Sequence, residues 1–311
     1  MIKHSLRILF SCLLFVYFGL RVDWQMIASV FGRVDIFWYL ISTVITLSGS
    51  WFMAGKYYLL LRKTSLALSL SRLLVIQFIS RFYALFLPTA LGPEAVRWYK
   101  VTRHKEGKSF FLAVTAYERI LFLLMLLVFG MVPLLVDQQQ PGVAQLLNRL
   151  VPVVTAIGLV LLAGLLYLFH PGAQTVVRAG LKKALRVRKG GKIDSLLTNL
   201  SLKDTSMTLL LSLVVLTLGW QLFFIGRIYG LFQAMGLSFG LAEAAWMGSL
   251  VLLLQVLPIS FAGLGIREGA YGYLVTLYGL PAEEGFVLGL LFFTQMMVFA
   301  LIGAVLNLFE K

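Results

Sequence analysis

Leu257-Pro258-Ile259-Ser260-Phe261-Ala262-Gly263-Leu264-Gly265-Ile266-Arg267-Glu268 interrupts an apolar region with a Pro, two Gly and an Arg-Glu pair. It has an echo at Leu87-Pro88, which leads to Gly92, Glu94 and Arg97, so that each Leu-Pro precedes an Arg nine residues beyond the Pro, and the two breaks stand 170 residues apart. A broken helix at membrane depth leaves backbone N–H and C=O groups that lipid cannot satisfy; it is tolerated where the break is buried in protein or lines a wet cavity. Paired breaks in corresponding halves of a chain point to a binding site between them.

The surroundings are apolar enough for that argument to apply. The 311 residues are 60% hydrophobic and 13% charged, with a mean hydropathy of +0.91, and several apolar runs are long enough for a hydrocarbon core of about 30 Å. The composition excludes a soluble globule and implies an all-α polytopic membrane protein. The net charge of +14 lies in short segments between apolar runs, with no zinc-finger or basic-zipper spacing, so it reads as a topology signal and not as a nucleic-acid surface. The lone Cys12 excludes an intramolecular disulfide and a cysteine-cluster metal site.

Charge placement orders the chain. An apolar run at 6–20, read as a retained helix, follows Lys3 and Arg7 and puts the N-terminus in the cytoplasm; residues 21–35 form an outside loop; residues 36–61 return to a basic segment holding Lys56, Arg62, Lys63 and Arg72. Residues 73–96 have basic flanks on both sides and are too few for two spans of about 20 each, so they form a re-entrant hairpin. Residues 109–136 cross outward, 150–169 cross inward, and 170–204 are a basic cytoplasmic linker. Residues 206–235 cross outward again, 244–280 form a second hairpin with acidic flanks, and 286–308 return. The cytoplasmic segments hold 20 of the 27 Lys/Arg, the outside ones three Lys/Arg and six Asp/Glu. The expectation is about six transmembrane helices and two re-entrant hairpins in two membrane repeats, 1–149 and 150–311, of opposite orientation.

Arg81, Arg119, Arg227 and Arg267, with Glu94, Glu118 and Glu268, lie in or beside apolar stretches. A charge there costs about 2.5 to 3.5 kcal/mol or more and must face the protein interior or a cavity. Glu118-Arg119 is open to internal pairing with the hairpin charges, Arg227 reads as a snorkelling or paired residue, and Arg81 sits on a hairpin arm. The post-break arginines Arg97 and Arg267 are the sharper candidates. Pro88 with Gly92, and Pro258 with Gly263 and Gly265, open onto returning half-helices whose N-termini suit anions, and each arginine adds a planar fork. The sequence has no Walker loop, zinc motif or nucleophile elbow, and the expectation is no cofactor, no metal and no catalytic residue.

The segment LPISFAGLGIREGAY at 257–271, supported by Tyr117-Glu118-Arg119 and the segment from Leu87 to Arg97, resembles the flippase-like membrane region of lysylphosphatidylglycerol synthases and its stand-alone relatives. Where that family has a Gly-Gly-Asp-like run, this chain has Leu91-Gly92-Pro93-Glu94. No aminoacyl-transfer domain follows Lys311, so the resemblance implies the lipid-moving part alone, in a bacterial or archaeal plasma membrane; the flank charges put both termini in the cytoplasm. The resulting expectation is a translocator of an anionic phospholipid or polyprenyl-phosphate-linked lipid, held by Arg97 and Arg267. A membrane-embedded transferase using Glu94, Glu118 or Glu268, and a scaffold for a lipid-modifying enzyme, are the rival readings. Membrane lipids are the expected partners, with a lipid-modifying enzyme or a second copy left open.

Overall fold

The structure of the protein, a computed structural model, describes residues 24–62, 66–85, 92–102, 108–137, 140–169, 207–256 and 263–309. The apolar run at 6–20, the linker at 170–204, Pro88 and Pro258 lie outside the described residues. Those described form ten α-helices and no strand: α1 Trp24–Gly32, α2 Ile36–Leu61, α3 Leu70–Ala84, α4 Gly92–Thr102, α5 Lys108–Val136, α6 Pro141–Phe169, α7 Met207–Ala234, α8 Leu241–Val256, α9 Ile266–Thr276 and α10 Ala282–Phe309.

Five of them, α2, α5, α6, α7 and α10, are long and apolar enough to cross a membrane. The helices between them are short for a clear reason. At 1.5 Å per residue, α3 and α8, with 15 and 16 residues, reach about 22 to 24 Å, and α4 and α9, with 11 each, reach about 16 Å, all less than a hydrocarbon core. The first short pair begins at Leu70 and runs to Thr102, so it is longer than the 73–96 read from the sequence. Two other expectations change. Residues 21–35 contain a helix, α1, which buries Ile27 and Val30 against the main body. Lys56, read as a cytoplasmic flank, lies inside α2 with no exposed surface.

The helices recur along the chain. Ile36, Leu70, Gly92 and Lys108 open α2 to α5, and Met207, Leu241, Ile266 and Ala282 open α7 to α10, offsets of 171 to 174 residues. Packing follows the same scheme: α2 lies along α7, α3 against α10, and α8 against α5. Each half therefore lends the first short helix of its pair to the last long helix of the other. Helix association in lipid has little hydrophobic drive and relies on close approach. Gly303 supplies it between α10 and α3, where an added Cβ would stand 2.1 Å from the Phe78 carbonyl oxygen. Gly230 does so between α7 and α2, with a built Cβ 2.9 Å from that of Ser42.

Two apolar clusters result. One gathers Ile27, Val30, Leu134, Val143, Phe232, Phe239, Leu274 and Val275. The other gathers Leu60, Leu61, Leu66, Phe111, Tyr167 and Leu213 at the opposite ends of the long helices. Between them, near the middle of α2, α5, α7 and α10, the interior carries buried polar side chains, among them Ser50, Glu118, Gln221 and Gln295.

Candidate functional site

A cavity of about 1600 Å³, counting its open mouth, occupies this middle layer. Gly49 and Ser50 of α2, Phe122 of α5, Trp220 of α7 and Met296 of α10 line it, each close to the midpoint of its helix. The short helices supply the polar wall: Gln77 and Arg81 from α3, Glu94 and Arg97 from α4, Gln255 from α8. Glu118 and Arg119 of α5 and Arg227 of α7 complete the charged set.

The sequence candidates divide into paired and unpaired groups. Lys56 donates to Glu118 Oε1 at 2.6 Å, with the two side chains 0% and 5% exposed, so that carboxylate is neutralised by a residue the sequence reading had placed in a loop. Arg119 lies 3.6 Å from Glu94 Oε1, the pairing across helices that the Glu118-Arg119 dipeptide had left open. Glu94 Oε2 is buried and has no hydrogen-bond partner among the described residues.

Arg97 is 3% exposed, and α4 aims it across the layer. Its Nη1 donates to the Tyr57 hydroxyl and its Nη2 to Gln77 Oε1, both at 2.6 Å, with the guanidinium 4.5 Å from the Tyr57 ring centre. Its Nε has no partner among the described residues. All these partners are neutral. Arg227, 5% exposed, donates through Nε to Gln295 Oε1 at 2.6 Å and through Nη2 to the Phe292 carbonyl at 3.0 Å, over the Phe292 ring. Gln295 in turn donates to Ser42 and Thr43, so α2, α7 and α10 hold this arginine together. Arg81 lies over the Phe299 ring at 5.7 Å. Among the described residues, none of these three arginines forms an ion pair.

The second break is arranged differently. Arg267 and Glu268 are both fully buried and do not line the cavity. Arg267 donates to Glu268 Oε1 through Nε at 3.1 Å and also through Nη2, and its Nη1 faces Met296 Sδ at 3.3 Å. Glu268 Oε2 accepts from the Gly265 amide at 2.7 Å, so the positive end of α9 meets a carboxylate of its own first turn. Gly265, at φ 81°, and Gly263, at φ 76°, take a left-handed conformation that other residues adopt at a cost. Gly263 reaches the cavity, whereas Gly92 is a buried first residue of α4 that does not line it. The two arginines matched by the 170-residue echo thus differ: Arg97 faces the cavity, and Arg267 is neutralised beside it.

Sequence reasoning passed over Tyr57, Gln77, Gln255 and Gln295. The available signal was a polar side chain inside an apolar helix, which lipid disfavours as it does a charge.

Comparison with curated proteins and with solved structures found no match. A family match does extend over residues 5–303, to the lysylphosphatidylglycerol synthase TM region. This chain therefore belongs to the family of that transmembrane region and is a multi-pass membrane protein of lipid biology.

Proposed function

We propose that the protein is a lipid translocator that carries an anionic head group through the mid-membrane cavity while the tails remain in lipid. The observation that carries this reading is the set of three arginines, Arg81, Arg97 and Arg227, that line one cavity without forming an ion pair among the described residues. At about 2.5 to 3.5 kcal/mol each, three such charges cost roughly 8 to 10 kcal/mol, as much as the net stability of a typical fold. Hydrogen bonds to Tyr57, Gln77 and Gln295 return part of that cost. An anion that enters returns the rest. The cavity is open at its mouth, so a head group can enter while its tails stay in lipid.

The helix recurrence supports an inverted repeat. Two full crossings with a hairpin between them return the chain to the face it left. The crossing of α6, the one span between the two sets among the described residues, then places the second set upside down. This moves the repeats to α2–α5 and α7–α10, with α6 as the inverting link in place of a boundary at residue 149. The hairpins enter from opposite faces, the plan that secondary transporters use to build a site at the midplane. The charge asymmetry of the loops supports a cytoplasmic C-terminus.

A transferase reading has one observation in its favour, the unpartnered Glu94 Oε2 in the cavity wall. Glu118 and Glu268, its other candidate bases, are engaged by Lys56 and by Arg267 with Gly265. The test is reconstitution in liposomes with a fluorescent anionic lipid. The expected result is faster passage between leaflets with the lipid mass unchanged, slowed by Arg97→Gln. Recovery of a lipid with a gained or lost group, abolished by Glu94→Gln, overturns the translocator reading.

A further inference from the structure

The charges of the cavity do not balance, and the imbalance specifies the head group. Five cations meet there: Arg81, Arg97, Arg119 and Arg227 in the wall, and Lys56 behind Glu118. Two carboxylates, Glu94 and Glu118, face them, so the excess among the described residues is three. Arg267 adds nothing because Glu268 cancels it. The excess is spread over both halves, with Arg81 and Arg97 on the first hairpin and Arg227 on α7.

We infer that the site is built for a lipid head group ending in a terminal phosphoryl group, a phosphomonoester or a diphosphate, and not for a phosphodiester or a zwitterion. This rests on the anionic-lipid reading above and narrows it. A phosphodiester brings one negative charge and leaves two of the three excess cations uncompensated. A zwitterionic head group leaves all three. A terminal phosphoryl group carries about −1.5 to −2 near neutral pH and offers three acceptor oxygens, and a diphosphate adds more. Arg81, Arg97 and Arg227, from α3, α4 and α7, line the same cavity, and guanidinium groups suit phosphoryl oxygens. Much of the remaining lining is aromatic, with Phe122, Trp220, Phe224, Phe292 and Phe299, and suits the first carbons of a lipid tail and not a free inorganic ion.

The terminal phosphoryl group also makes the inference testable by pH, because its second proton leaves near pH 6, whereas a phosphodiester keeps its single charge throughout. The full chain in a nonionic detergent is titrated by calorimetry at pH 5.5 and pH 7.5 with four probes: hexadecyl phosphate, dihexanoyl phosphatidylglycerol, dihexanoyl phosphatidylcholine and inorganic phosphate. Hexadecyl phosphate is expected to bind about tenfold or more tightly than phosphatidylglycerol at pH 7.5, and to weaken severalfold at pH 5.5 while phosphatidylglycerol does not change. Arg227→Gln and Arg81→Gln should each shrink the preference. Because the pH profile is read on the unaltered chain, poor folding of a variant does not blunt the test. Equal binding of the two anionic lipids with no pH effect overturns the inference and leaves the translocator reading standing. Inorganic phosphate binding as tightly as hexadecyl phosphate overturns its lipid part. No binding by any probe, with the protein folded, brings down the anionic-lipid reading itself.

Discussion

Replacing Arg267 by Met should unfold the protein more readily, whereas the same change at Arg97 should leave it folded and idle. In Arg267→Met, Glu268 keeps the Gly265 amide but loses both guanidinium contacts at a site with no exposed surface. Removing one partner of a buried ion pair costs about 3 to 5 kcal/mol, roughly a hundredfold or more in the unfolded-to-folded ratio. Adding Glu268→Gln removes the orphaned charge and keeps an acceptor for Gly265, so the double variant should recover at least about 2 kcal/mol relative to the sum of the singles. Arg97→Met strands the Tyr57 hydroxyl and Gln77 Oε1 at about 1 to 3 kcal/mol each, but relieves a charge worth about 2.5 to 3.5 kcal/mol, so its net effect should fall between about −1.5 and +3.5 kcal/mol and below that of Arg267→Met. Denaturant titration in detergent, followed by tryptophan fluorescence, reads stability; lipid passage in liposomes reads function. Native-like unfolding of Arg267→Met with lost lipid passage would refute this division and restore Arg267 to the ligand.

Three further outcomes are expected. With Cys12→Ser as background, single cysteines at the exposed residues Ser71, in the first turn of α3, and Ser238, just before α8, should react with an impermeant reagent from opposite faces; labelling from one face would end the inverted repeat. Gly303→Ala should cost about 1 to 3 kcal/mol because its methyl meets the Phe78 carbonyl, while Gly130→Ala, with Ser249 Cβ at 3.3 Å, should cost less, and equal unfolding midpoints would contradict the packing. Tyr278, in the turn between α9 and α10, donates to Asp137; burial first, and then that bond and carboxylate, raise its phenol well above its usual range. Its contribution to stability is present below the unfolded value of about 10 and is lost as pH rises above it. Unfolding temperature should therefore fall more between pH 9 and pH 11 in the parent chain than in Tyr278→Phe.

Much of the helix plan was legible because membrane insertion writes length and flank charge directly into sequence. Residues 36–61 and 206–235 were read within two residues of α2 and α7, and the short pairs followed from flanks of like sign. Side-chain partners were less legible. Lys56 looked like any basic flank because its partner, Glu118, is 62 residues away. Arg267 and Glu268 looked like two ligands because adjacency in sequence does not reveal that the acid folds back onto both its neighbour and Gly265. Arg227 looked like a snorkelling residue because its distance from the helix end was known, but not the position of Gln295. α1 was missed because nine residues with two buried apolar side chains give too little periodicity to outweigh a charged loop.

The exchange of short helices between the halves has a consequence for biosynthesis. α3, which carries Gln77 and Arg81, has as its main packing partner α10, the last helix. About 200 residues separate the end of one from the start of the other, and at 5 to 20 residues per second the ribosome needs roughly 10 to 40 seconds to make them. For that interval a charged half-helix has no backbone to lie against at Gly303. α3 therefore settles only once α10 has been made and inserted beside it, and a ribosome stalled before Ala282 leaves a nascent protein in which α3 lacks its main packing partner.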